Sequence, residues 1–389
     1  MDDLRTTAER KAEPRIKRRK IALVLGGGGL KGFAHIGVLK ALDELGLKPA
    51  LYAGTSIGSL IAAAYVTGMS IDDMAAKARS LRRRDLFRLN RLGFVLERTR
   101  AAGLYQGAPL REVCDSVVKD VRFDELTTPL LVNTVDLPRG SPVVWGLPGL
   151  TDVSVRDAVY ASCALPGFYP PGQVGSRTCV DGGVIDNLPV NVAALGMDAV
   201  IAVDTGSSAL LRARDIAQNG FTAIYMRAAT TMMHALQLSP LETWTTPPMT
   251  LVRPRIAHIS WFSFTQADEL MEAGYLAAKE ALQHFEADLK AEGGIYPRRR
   301  VQVSVNREKC IGCTLCVALA PRMMAMDETG KAVVKVPIVD WSPADGEFVH
   351  HCPTYAINAV PLSLLPQDNQ PQATEAQTLQ EKAERLETA

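Results

Sequence analysis

The chain of 389 residues has no apolar run of about 18, the length a membrane-spanning helix requires. Its first twenty residues lack the apolar centre of a secretory signal. An excess of one charge is missing too. Forty-three basic residues stand against 42 acidic ones, net +1, so nothing global points to nucleic acid as a partner. The seven cysteines do not fall into the pattern of a disulfide framework, which suits a reducing compartment. The expected location is the cytoplasm, with peripheral contact to the inner face of a membrane left open. No internal repeat is visible.

What is present is an ordinary globular composition, 47% hydrophobic and 22% charged, long enough for two or three domains. Residues 1–20 read as a polar, basic arm ending Arg18-Arg19-Lys20. Strand-like runs at Ile21–Leu25, Leu51–Ala53, Leu130–Val135, Ala199–Val203 and Ile256–Ile259 alternate with helix-like segments at 34–45, 57–66, 110–119, 154–163, 189–195 and 267–285. That alternation predicts an α/β domain over 21–292, with a largely parallel sheet covered on both faces. A linker is expected at 293–300, a compact unit at 301–362, and a polar tail, disordered or loosely helical, at 363–389.

Gly54-Thr55-Ser56-Ile57-Gly58 matches the G-x-S-x-G nucleophile elbow, with a strand before it and an apolar helix after it. On the pattern alone, a tight turn with a capping serine competes with that reading. Gly26 to Gly29, with Gly32, can turn backbone N–H groups toward an anion, either a phosphate or a transient oxyanion. A Walker loop would end G-K-[ST], whereas this one ends Gly-Phe-Ala. A dinucleotide site would want an acid where Gly54-Thr55-Ser56 stands. A serine needs a base, and the six histidines are poorly placed for that work. The better candidate is Asp181, at a strand end before Gly182-Gly183; the competing reading is a plain Asp-Gly-Gly turn.

Taken together, residues 21–280 resemble a patatin-like phospholipase domain. The likeness rests on the glycine loop with Lys31, the Ser56 motif, the Asp181-Gly182-Gly183 motif, and the stretch Ala161–Pro171 between them. Cys163 and Tyr169 depart from the expected residues. The resemblance implies a three-layer α/β fold and a Ser56–Asp181 dyad without histidine. It further implies oxyanion donors at Gly27, Gly28 and Gly29, and fatty acyl esters of phospholipids or related lipids as substrates. Hydrolysis would need no cofactor.

Residues 79–100 interleave arginines with apolar side chains and read either as a packed segment with solvated charges or as a lid on an anionic lipid surface. Cys310, Cys313 and Cys316 form a tight C-x₂-C-x₂-C arc, which favours an iron–sulfur cluster over zinc. Cys352 follows 36 positions after Cys316, before Pro353. Residues 301–362 resemble a bacterial-type ferredoxin with one run of cysteines, a small α+β fold. That likeness implies a single [4Fe–4S] cluster on Cys310, Cys313, Cys316 and Cys352, and an unidentified redox partner. A rival to the hydrolase reading is an electron-transfer or redox-sensing protein whose larger domain is vestigial or only binds lipid.

Overall fold

The computed structural model describes residues 19–90, 102–206, 220–256 and 258–364. The basic arm up to residue 18, the part of the arginine-rich stretch from 91, and the tail from 365 lie outside the described residues.

The chain opens with β1 (Ile21–Leu25), α1 (Ala34–Glu44), β2 (Leu51–Thr55), α2 (Ile57–Val66), α3 (Ile71–Ser80), α4 (Arg83–Leu86) and α5 (Gly107–Val117). It continues through β3 (Leu130–Asp136), β4 (Ser141–Trp145), α6 (Val155–Cys163), β5 (Gly172–Val174), β6 (Arg177–Asp181), α7 (Val190–Ala193), β7 (Ala199–Val203) and α8 (Gly220–Glu242). Then come β8 (Met249–Val252), α9 (Ala267–Ala281), α10 (Phe285–Asp288) and β9 (Ile295–Tyr296). These nine strands form one sheet in the order β5-β6-β3-β2-β1-β7-β8-β9, with β4 also paired to β3. The central pairs are parallel; β4, β5 and β6 run antiparallel at one side.

Helices cover both faces, giving the expected three layers. Leu23, Leu25 and Ile201 point into a large core with α1, α2 and α9, whereas Val24, Val200 and Ala202 face a smaller one with α7. Alternation along β1 and β7 therefore feeds two cores, which is why those strands read as unbroken apolar runs. Gly37 of α1 and Gly274 of α9 lie where the two helices cross, each against the other's backbone, so the pair packs without intervening side chains.

The run Ile256–Ile259 is not a strand. Ile256 and Ile259 are buried, but the local chain turns: Ile256 N–H donates to Pro254 O at 2.9 Å and Ile259 N–H to Ile256 O at 3.1 Å. Apolar density there signalled burial, and the strand lies earlier, in β8. Nor does 293–300 hang free. Ile295–Tyr296 pairs with β8, and Arg299 already belongs to the next strand.

That strand is β10 (Arg299–Val305), followed by α11 (Leu315–Leu319), β11 (Met324–Met326), β12 (Ala332–Val334), β13 (Ile338–Trp341), α12 (Glu347–His350) and β14 (Ile357–Pro361). The sheet order is β13-β10-β14, with β11 and β12 as a separate hairpin. Val301, Val303, Met324, Phe348 and Ile357 build its own small core, in which Cys310 and Cys316 are also buried. A strand-rich C-terminal region with short helices fits the ferredoxin-like expectation.

Candidate active site

Parallel strands bring their C-terminal ends to one sheet edge, and the register here aligns the candidate residues. Leu25 lies opposite Gly54, so the glycine loop after β1 runs beside the turn after β2. Thr55 pairs with Asn133 of β3, and the next β3 residue, Thr134, pairs with Asp181. Ser56 and Asp181 therefore emerge at the same level on either side of β3.

Ser56 takes φ +53°, ψ −128°, a conformation that L side chains rarely adopt. Such backbone strain persists only where the surroundings hold it. Its N–H donates to Ser162 Oγ at 2.8 Å, and Ser162 Oγ donates to Asn133 O at 2.7 Å. Its carbonyl accepts from Ser59 N–H at 2.9 Å and from Ser59 Oγ at 2.6 Å. The two motif glycines are needed for packing, since a Cβ on Gly58 would overlap Leu25 O and one on Gly54 would overlap the α2 backbone.

Asp181 is 3% exposed, and its Oδ1 accepts Gly183 N–H at 2.8 Å. Burial pushes its carboxyl up to about 6, while the Ser56 hydroxyl facing it and the Gly183 amide pull the other way. The glycine loop is held from beneath. Gly26 N–H donates to Val203 O at 3.0 Å and Gly27 N–H to Asn187 O at 3.1 Å, and Asn187 Nδ2 returns a bond to Gly27 O at 3.2 Å. Gly27 is thus engaged with Asn187, and among the described residues the Gly28 and Gly29 amides meet no acceptor. Both line the same cavity as Ser56 and Asp181.

His35 is fully buried behind the loop, with Nε2 2.8 Å from Gly26 O; burial lowers its pKa to about 4, so it is a neutral packing residue. Lys31 is buried as well, its pKa lowered by desolvation and partly restored by the charge of Asp204. Two supporting residues were not singled out in the sequence, although Ser162 lies in the Ala161–Pro171 stretch. Asn187 and Ser162 act across separations of 160 and 106 residues. For Asn187 the local hint is a polar Asp186-Asn187 pair set before the buried Leu188.

The cavity at this edge is walled almost wholly by apolar side chains from α2, α3, α5 and the loops after α4 and α6. Of the arginine-rich stretch, Leu81 and Leu86 are buried against it and Phe87 lines it, while Arg82, Arg83 and Arg84 are exposed. In its described part the segment turns Leu81, Leu86 and Phe87 inward and leaves Leu89 exposed. Phe87 meets Tyr105 and Phe262 with ring centroids 4.9 and 5.3 Å apart, roofing the cavity with aromatic rings.

In the C-terminal region Cys310, Cys313, Cys316 and Cys352 all line one hollow. Among the described residues no group of three or more His, Cys, Asp or Glu side chains is drawn close enough to hold a metal ion. The surroundings differ from thiol to thiol: burial raises the Cys316 thiol, whereas backbone donors reach two of the other sulfurs. Ala332 N–H points at Cys310 Sγ from 3.4 Å and Ala356 N–H at Cys352 Sγ from 3.3 Å. Burial alone would raise the Cys352 thiol, but the Ala356 and Thr354 amides more than offset it and its pKa is lowered. Thr314 at φ +62° and Gly312 at φ +71° bend the chain between the three clustered cysteines. Four thiols around one hollow, with backbone donors aimed at two of the sulfurs, are a donor set that suits a thiolate-bound metal group.

Fold and site together define a three-layer α/β domain with a strained serine beside a buried carboxylate, joined to a small strand-rich region that gathers four cysteines. The chain carries a patatin-like phospholipase domain, matched over residues 23–194, and after it a 4Fe-4S single cluster domain, matched over 303–359. An uncharacterized NTE family protein of Mycobacterium tuberculosis is 34% identical over 201 residues, 51% of this chain and 53% of that protein. Patatin-like phospholipase domain-containing protein 6 of Homo sapiens is 36% identical over 191 residues, 48% of this chain and 13% of that protein. The chain spans about half the length of the mycobacterial relatives it matches. Among solved structures, VipD from Legionella pneumophila is 14% identical, with a TM-score of 0.38 over 69% of this chain and 67% of its own. Among the described residues no helix is long and apolar enough to cross a membrane.

Proposed function

We propose that the chain is a serine acyl hydrolase that cleaves fatty acyl esters of phospholipids or lysophospholipids through a Ser56–Asp181 dyad. The observation that carries this reading is the shared cavity: Ser56 in its strained turn, buried Asp181 and the Gly28–Gly29 amides all open onto one large apolar cleft. Asp181 takes the Ser56 proton as Oγ attacks the ester carbonyl. The oxyanion forms where the Gly28 and Gly29 N–H groups and the start of α2 lie, which are fixed donors requiring no reorganisation. Collapse expels the alcohol, which leaves with the proton held by Asp181. Water, deprotonated by the same carboxylate, then attacks the acyl-enzyme, and Ser56 recovers its proton when the fatty acid leaves. A carboxyl near 6 is a better-matched base at neutral pH than one near 4.

The reading extends to one [4Fe–4S] cluster on Cys310, Cys313, Cys316 and Cys352, apart from the hydrolytic steps. Bound there, it would supply one-electron redox chemistry, which ester hydrolysis does not use. Its first role on this reading is to hold residues 301–362 together, a unit too small to be robust by its own core. The deciding experiment is labelling with a fluorophosphonate probe together with hydrolysis of p-nitrophenyl esters. Wild type is expected to label and turn over, and Ser56→Ala to do neither; turnover by Ser56→Ala above background would overturn the assignment.

A further inference from the structure

We infer that the catalytic cavity is a measuring pocket for acyl chains, and that Lys77 and Val117 form its end wall; the inference rests on the acyl-hydrolase reading above.

Three helices each present one stripe to the cavity. From α2 come Ile57, Leu60, Ile61 and Ala64, spacing that keeps one face turned inward along the whole helix. From α3 come Met74, Lys77 and Ala78, and from α5 Leu110, Val113 and Val117. Ser56 stands at the N-terminal end of α2, so an acyl chain leaving its carbonyl runs alongside that helix toward Ala64. Eight residues of helix span about 12 Å. At about 1.2 Å per bond of an extended chain, that is room for roughly ten carbons.

The far end is located by an independent contact. Lys119 N–H donates to Thr67 Oγ1 at 3.3 Å, which fixes the end of α5 at the C-terminal end of α2. Val117, two residues earlier, therefore closes the cavity opposite Ser56. Beyond it lies a separate open hollow on the outer surface, bordered by Asp73, Asp115, Lys119 and Arg156. Lys77 and Val117 line both spaces. The partition between a dry acyl cavity and a charged surface is one side chain thick. Lys77 is the one residue with a charged group among those that the three helices contribute to the cavity wall. Its aliphatic stem can cover an apolar space while its ammonium group stays in water. A chain that ends at the wall buries every methylene, whereas a longer one must push these two side chains aside or fold back.

The test is the chain-length profile of kcat/KM for p-nitrophenyl esters from four to eighteen carbons. Wild type is expected to rise to a maximum at about ten to twelve carbons and then fall. Each methylene that gains or loses burial changes binding roughly fourfold. The double variant Lys77→Ala/Val117→Ala should therefore raise the sixteen- to eight-carbon ratio at least about tenfold. Ala78→Leu, which fills the cavity short of the wall, should instead move the maximum to shorter chains. Competition of alkanoic acids of increasing length against a fluorescent fatty acid, measured on Ser56→Ala, reads the same wall without catalysis. Unchanged profiles in that competition for both the opened and the filled cavity, each introduced into Ser56→Ala, would overturn the inference. Chain-length-dependent binding with no hydrolysis by wild type would defeat the hydrolase reading and leave the wall in place.

Discussion

Arg253 and Asp204 form an ion pair, Nε to Oδ2 at 3.2 Å, in which the carboxylate side chain is 1% exposed. The same guanidinium donates to the carbonyl of Pro343, in the turn after β13. One side chain thus ties the end of β7 to the C-terminal region. The pair also stands close behind the glycine loop: Thr205 and Gly206, which follow Asp204, pack against Gly28 so tightly that a Cβ there would lie 2.8 Å from Thr205 Oγ1. Replacing Arg253 by Ala removes the guanidinium paired directly with a buried carboxylate that also faces Lys31. A loss of about 2–4 kcal/mol is expected, read by urea unfolding, together with faster proteolysis between residues 253 and 343.

Ser56 should show opposite effects on activity and stability. Ser56→Gly removes the proposed nucleophile and, because glycine accepts a positive φ, relieves the turn. The expected outcome is no ester hydrolysis and a gain of roughly 1 kcal/mol in unfolding free energy. A variant less stable than wild type would show that the Ser56 side chain contributes more by packing than its backbone stores in strain.

Asp181→Asn should also abolish turnover, with a pH signature in stability. The folded carboxyl titrates near 6, above its unfolded value near 4, so the folded state holds its proton more tightly. Wild type therefore loses stability as pH rises from about 4 through 6. The amide has no proton to lose and is expected to be more stable at pH 8 by roughly 3 kcal/mol. That advantage should vanish below about pH 4. Thermal unfolding of both proteins across pH 3–8 checks the sign. In wild type, kcat/KM should rise with pH through about 6, as the carboxylate forms.

Cys313→Ala and Cys352→Ala should each lower bound iron to near the apo level and make residues 301–362 the first to be cleaved by protease. Hydrolysis of a soluble short-chain ester should survive in both, because Ser56 and Asp181 need nothing from that region for bond breaking. Iron analysis, peptide mapping and ester assays on the same preparations make the comparison. Loss of hydrolysis in a variant whose larger domain remains folded would indicate direct coupling instead, and the Arg253 tie would be the first place to look for it.

Much of the candidate site was legible because its motifs are written in contiguous residues. The sharp turn at Ser56 needs glycines at fixed offsets; a carboxylate at a strand end announces itself by Asp181-Gly182-Gly183; three of the four cysteines lining one hollow stand within seven residues. The strands β1 and β7, buried on both faces, had to read as unbroken apolar runs. Tertiary packing alone decided the rest. That Gly27 gives its amide to Asn187, leaving Gly28 and Gly29, follows from a contact across 160 residues. That Ile256 and Ile259 are buried without forming a strand depends on the turn Pro254 starts and on what packs over it. The end wall at Lys77 and Val117 exists because Thr67 and Lys119 bring two helix ends together. Such contacts join residues far apart in the chain, each with several equivalent partners by composition; only the closed fold selects one, through shape and the need to satisfy buried polar groups.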